Sequence, residues 1–231
     1  MRRVVAVVVL MLLAGVPAVA HIRGFVIGHS ERGRTIRAVE RGDPSAPHRL
    51  LVFGLIHGNE PAGIAVARKL AATSPPPGLD VTVVEDLNPD GRARDTRQNA
   101  RGVDLNRNFS YRWRHLDHRG GIFWSGPGPV SESETKAAQA LILRLRPTIT
   151  VWYHQHLDVV DLAGGDARIE RRYARLVGMR TGRLPRYPGS ASTWENHAFP
   201  GTTSFVVELH AGSLSAGEVQ RHVRALLAIA R

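Results

Sequence analysis

Apolar and polar positions along the chain fall into short blocks separated by turn-forming residues. Phe25-Val26-Ile27 and Ile36-Arg37-Ala38-Val39 flank Ser30-Glu31-Arg32-Gly33, a pattern that predicts a hairpin at a sheet edge. Leu50 to Ile56 is a continuous apolar run with polar neighbours, as expected of a strand buried on both faces. Pro61 then stands where the first turn of a helix tolerates proline, and Ala62 to Ala71 has helical composition. Ser74-Pro75-Pro76-Pro77-Gly78 breaks the chain before a strand at Val81 to Val84. Asp86 to Pro129 is long and irregular, which inside a compact domain marks a functional or disordered loop. Ser131 and Glu134 have capping-box spacing and predict a helix to about Arg146. Further elements are a strand at Thr148 to Tyr153, a helix over Asp166 to Met179 and a strand at Ser204 to Leu209. A final helix is capped by Ser215 and Glu218. Strands alternating with helices predict an α/β fold around a mostly parallel or mixed central sheet.

The first twenty residues differ in kind. A basic start at Arg2-Arg3, an apolar run from Val4 to Leu13 and the small-x-small sequence Ala18-Val19-Ala20 follow the order of a secretory signal peptide. The run is shorter than the ~20 residues a membrane span needs. Export, cleavage near Ala20 and no membrane insertion are therefore expected, with residues 21–231 forming one catalytic domain. The chain has no cysteine, so a metal must be held by His, Asp or Glu. The net charge of +11 falls to +9 when Arg2 and Arg3 leave. The basic residues are scattered without a recognition motif, which argues against a nucleic-acid partner.

Chemistry concentrates at the carboxyl ends of the predicted strands, where α/β sheets bind ligands. His57-Gly58-Asn59-Glu60 follows the first buried strand and can bring an imidazole nitrogen and a carboxylate to one point. Tyr153-His154-Gln155-His156 follows another. His154 and His156 are two residues apart, so position alone does not choose between them. Glu208 ends a third strand, where a carboxylate is costly without a partner or a task. A base that takes the proton of a metal-activated water is one such task. The long loop adds Arg97 and Asp104-Leu105-Asn106-Arg107-Asn108, and arginine suits bidentate carboxylate binding.

These words resemble the zinc carboxypeptidase family, and within it the small bacterial branch of murein peptide amidases. The matching segments are His57-Gly58-Asn59-Glu60, Asn88-Pro89-Asp90-Gly91, Gly102 to Phe109, Trp152-Tyr153-His154-Gln155 and Phe205-Val206-Val207-Glu208-Leu209. The resemblance covers about Gly24 to Gly212. It implies an eight-stranded mixed, mostly parallel sheet flanked by helices and one zinc ion held by His57, Glu60 and His154. It selects His154 over His156, makes Glu208 the general base and Arg97 the group that polarises the scissile carbonyl. It also implies that Asn106 and Arg107 grip the substrate carboxylate, and that Tyr187 closes over the substrate near Ser192. The expected partner is a cell-wall peptide, cut between γ-D-glutamate and diaminopimelate by a monomer. Competing expectations are a general C-terminal carboxypeptidase, an amidohydrolase of the aspartoacylase or succinylglutamate desuccinylase kind, and a non-catalytic wall-peptide binder.

Overall fold

In the computed structural model, residues 21–162 and 164–231 are described. The signal-peptide pattern of residues 1–20 lies outside them. Eight strands form one sheet in the order β1-β2-β4-β3-β5-β8-β6-β7. They are β1 (His21–His29), β2 (Thr35–Gly42), β3 (His48–Phe53), β4 (Leu79–Val84), β5 (Ile149–Gln155), β6 (Val159–Asp161), β7 (Arg180–Gly182) and β8 (Thr203–Leu209). The central strands β4, β3, β5 and β8 pair in parallel, while β1 with β2, β2 with β4 and β6 with β8 are antiparallel. β6 and β7 are again parallel. The result is the mixed eight-stranded sheet the sequence implied, with the β1–β2 hairpin at one edge.

Both faces are covered because the central strands are apolar on both sides. One face packs Leu50, Val52, Val151, Phe205 and Val207 against α1 (Gly63–Ala71), α4 (Ala167–Val177) and α6 (Ala216–Ile229). The opposite face packs Leu51, Phe53, Trp152 and Val206 against α3 (Ser133–Leu145), α5 (Ala191–Ala198) and the long loop. The loop contributes Leu105 and Phe109, with Phe109 edge-on to Trp152 at 5.9 Å. It is thus a packed wall with only one short helix, α2 (Pro89–Arg92), and one 3-10 turn at Leu105–Arg107.

Ser215 and Glu218 do form a reciprocal capping box at α6. Ser131 and Glu134 do not form one at α3, which begins at Ser133 with Glu132 as N-cap and no side-chain cap bond. Tertiary contacts outbid the local motif. Asn99 Nδ2 donates to Glu132 and Glu134, and the Glu31 N–H donates to Glu134. Ser131 Oγ instead bonds Glu132 Oε1 at 2.6 Å. Outside the long loop, three short elements had no expectation: β6 and β7, of three residues each, and α5.

Candidate active site

The three strand ends meet where the parallel strands point their carboxyl termini. In register, His154 on β5 stands beside Glu208 on β8. Trp152, two residues before His154, and Val206, two before Glu208, belong to the same core face, so both functional side chains project to that side. His57 lies four residues beyond β3, carried by the buried Gly54-Leu55-Ile56 continuation, and a Glu60 N–H to His57 C=O bond of 3.0 Å closes the turn. Gly58 has to be glycine. A Cβ there would collide with the backbone of Gly91 and Arg92, because this turn packs directly on the Asn88-Pro89-Asp90-Gly91 turn.

His57, Glu60 and His154 are buried and converge, with ligand-type atoms all within 4.8 Å of one another. His57 Nδ1 lies 3.0 Å from Glu60 Oε1 and 3.0 Å from His154 Nδ1, and His154 Nδ1 lies 2.9 Å from Glu60 Oε2. On its other side, His57 Nε2 lies 2.9 Å from Asp104 Oδ1. A proton on Nε2 shared with that carboxylate leaves the Nδ1 lone pair facing the cluster, the arrangement in which an outer carboxylate orients a metal-binding histidine. Two imidazole nitrogens and a carboxylate, buried and mutually within 3.0 Å, are a donor set suited to zinc. His156, by contrast, is exposed just past the end of β5 and takes no part in the cluster.

Asp104 organises the surroundings. Fully buried, it also accepts from Arg97 Nε at 3.0 Å and from the Asn106 N–H at 2.9 Å. Arg97 Nη1 reaches Glu60 Oε1 at 3.0 Å, so neither ion pair uses Nη2. Burial alone would raise the Asp104 carboxyl's pKa. The charges of His57, Arg97 and Arg107 outweigh it and hold the group well below the usual carboxylate range. Glu60 is lowered in the same way, burial being overcome by His57 and His154. His57 is raised, because Glu60 and Asp104 together exceed the effects of burial and Arg97. Asp104 is the site residue to which sequence reasoning gave no role. It was visible only as one letter of the Gly102–Phe109 segment.

A cleft of about 390 Å³ opens beside the cluster, within the range of small-ligand pockets. Its lining includes His57, His154, Glu208, Arg97, Asn106, Arg107, Tyr187 and Ser192, so every singled-out residue except the buried ligand Glu60 faces it. Glu208 Oε2 has no hydrogen-bond partner. Arg107 is buried and donates from Nη1 to Asn106 C=O at 2.7 Å, while its Nε is unpartnered. Its guanidinium stacks 4.1 Å from the centroid of the Tyr187 ring, which is 42% exposed at the mouth. Asn106 Oδ1 accepts from the Ala191 N–H at 2.9 Å and its Nδ2 lies 3.4 Å from His154 Nε2. Its amide is engaged within the protein and ties the start of α5 to the cluster.

Comparison with known proteins agrees with this geometry. The zinc carboxypeptidase family model matches residues 77–172, a span that includes Arg97, Asn106, Arg107 and His154. Murein peptide amidase A of Escherichia coli K12 is 34% identical over 122 residues, covering 48% of this chain and 50% of that protein. The Vibrio campbellii murein peptide amidase A is 34% identical over 124 residues, 49% of this chain and 50% of its own. The match therefore spans about half the length of these curated relatives. Among solved structures, carboxypeptidase A from Helicoverpa armigera superposes with a TM-score of 0.76 at 20% identity, covering 90% of this chain and 68% of that one. Murein-tripeptide amidase from Escherichia coli O157 gives 0.68 at 25% identity, over 90% and 91% of the two chains. Residues 77–172 thus match the zinc carboxypeptidase family, and about half of the chain is similar to the murein peptide amidases.

Proposed function

We propose that this protein is an exported zinc peptidase that cleaves the γ-D-glutamyl–diaminopimelate bond of peptidoglycan peptides. One observation carries the catalytic reading. Glu208, whose buried Oε2 has no hydrogen-bond partner, lines the same cleft as the histidines of the three-ligand cluster. Its likeness to the murein peptide amidases supports the choice of bond, and the signal-peptide pattern of residues 1–20 supports export. No helix among the described residues is long and apolar enough to cross a membrane.

His57, Glu60 and His154 would hold the ion, and a zinc held there supplies Lewis-acid polarisation and acidifies the attacking water to a pKa near 7. Glu208 takes the proton of that water and returns it to the leaving amine, since one carboxylate can serve as base and then acid. Arg97, oriented by Glu60 and Asp104, keeps Nη2 for the oxygen on which negative charge develops. Arg107 has an unspent donor. Burial and the neighbouring Arg97 lower its pKa against the pull of Asp104, which leaves an under-compensated cation suited to a substrate carboxylate. Tyr187, stacked on that guanidinium at the mouth, shields it from water.

The test is a substrate panel on residues 21–231 loaded with zinc. It comprises a γ-D-glutamyl-diaminopimelate peptide, ordinary peptides with free and blocked carboxyl termini, and N-acyl amino acids. Cleavage of the first is expected. Turnover confined to ordinary free-carboxylate peptides would make the protein a general carboxypeptidase. Turnover confined to N-acyl amino acids would make it an amidohydrolase of the other kind.

A further inference from the structure

The cleft contains one charged pair that the catalytic reading does not use. Asp161, at the end of β6, accepts from Arg186 Nη1 at 2.7 Å, and both residues line the cleft. Asp161 is only 2% exposed, and its other oxygen accepts from the Leu184 N–H at 2.8 Å. Arg186 is anchored on the Leu162 and Leu184 carbonyls while its side chain remains 38% exposed. Each charge is held by backbone and by the other member of the pair, and both residues line the cleft.

Sheet register places this pair relative to the reacting centre. Val159 stands opposite Glu208 and Val160 opposite Val207 in antiparallel pairing. Asp161 therefore follows opposite Val206, on the face that carries Glu208. Two residues of strand set the pair about 7 Å along the sheet from the level of the catalytic carboxylate. Between them the cleft wall is Val206 with Leu184, both apolar. A side chain that fits has a short aliphatic stem and a terminus bearing both a cation and an anion. The side chain of meso-diaminopimelate has that form. Four carbon–carbon bonds of about 1.5 Å separate its two α-carbons, a reach of about 5 Å when extended.

We propose that Asp161 and Arg186 form the subsite for the leaving residue, Arg186 binding the distal carboxylate and Asp161 the distal ammonium, so that this position selects a diamino dicarboxylic acid. This rests on the proposed peptide hydrolysis, and it assigns the side-chain preference to two residues outside the catalytic set. Lysine is the same side chain without the distal carboxylate, and norleucine lacks both charges, so the three separate the contributions.

The experiment measures kcat/KM for γ-D-glutamyl peptides of meso-diaminopimelate, L-lysine and L-norleucine. The enzymes are wild type, Arg186→Met, Arg186→Lys and Asp161→Asn. A parallel series carries the same three residues in ordinary α-linkage. A charge-assisted bidentate contact predicts at least a tenfold wild-type preference for diaminopimelate over lysine. Arg186→Met should lower the diaminopimelate rate about 10- to 100-fold and leave the other two within threefold, with Arg186→Lys between. Asp161→Asn should lower diaminopimelate and lysine but not norleucine. Equal losses on all three substrates would show that the pair only braces the Leu184–Tyr187 segment, and would overturn the proposal, as would a wild type that does not discriminate. If only the α-linked series is cleaved, the γ-D-glutamyl reading fails while the ratios in that series still decide the subsite. If neither turns over, calorimetric binding of the three free amino acids reads the same preference.

Discussion

Replacing Asp104 by Asn removes one charge from the centre of the site with almost no change in volume. Three donors converge on this carboxylate: His57 at 2.9 Å, Arg97 Nε at 3.0 Å and the Asn106 N–H at 2.9 Å. An amide can replace Oδ1, which serves His57 and Asn106, but its NH2 group would then face the Arg97 N–H donor. Arg97 must turn away, and His57 loses the carboxylate that fixes its tautomer. Outer-shell changes of this sort weaken metal binding about 10- to 100-fold, or roughly 1.4 to 2.8 kcal/mol. Chelator competition at fixed pH should show zinc affinity falling by that factor in Asp104→Asn, with a further loss in kcat from displaced Arg97. Asp104→Ala should fall further, because it removes the His57 contact altogether and leaves Arg97 paired with Glu60 alone. An Asp104→Asn protein that binds zinc within twofold of wild type would refute the claim that Asp104 orients His57.

Three more outcomes follow from the same geometry. His154→Ala should abolish stoichiometric zinc binding whereas His156→Ala should leave it intact, as metal analysis of the purified variants would show; the reverse result would move the metal register to His156. Zinc affinity should fall as pH drops, because Glu60 and Asp104 raise the His57 pKa and the proton competes for the imidazole; an affinity flat between pH 8 and 6 would contradict this. Glu195 is fully buried, accepts from Thr150 Oγ1 at 2.6 Å, and burial pushes its pKa up to about 7 from an ordinary 4.5. The folded state then holds its proton over a range where the unfolded chain has released it, so stability should decline as pH rises from about 4.5 to 7. The gap corresponds to roughly 3 kcal/mol. Denaturant unfolding of Glu195→Gln should lack this part of the decline, and identical pH profiles for the two proteins would argue against it.

Much of this architecture was legible because the central strands are buried on both faces. Leu50 to Ile56 reads as a continuous apolar run, and Val81 to Val84 and Ser204 to Leu209 as strands; they fold as β3, β4 and β8, with Gly54-Leu55-Ile56 extending beyond β3. β6 and β7 escaped because three residues carry no periodicity. α5 escaped because Ala191–Ala198 has few strong helix formers and is held by Trp194 packed against Phe109 and Phe199. The Ser131–Glu134 spacing misled because local capping lost to tertiary donors that no short window contains. At the site, strand ends marked His57, His154 and Glu208, yet period-two spacing could not separate His154 from His156. The structure separates them by ending β5 at Gln155. Asp104 meets His57 across 47 residues of sequence, a pairing that only the packed loop reveals.

In the proposed chemistry His57, Glu60 and His154 hold the ion while Glu208 moves the proton. Zinc content and turnover of the γ-D-glutamyl-diaminopimelate peptide, measured side by side on wild type and Glu208→Gln, test it most directly. One zinc per chain in both proteins is predicted, with kcat lost by several orders of magnitude only in the variant. A Glu208→Gln enzyme that keeps its turnover, or a wild type that hydrolyses nothing with zinc bound, would contradict it.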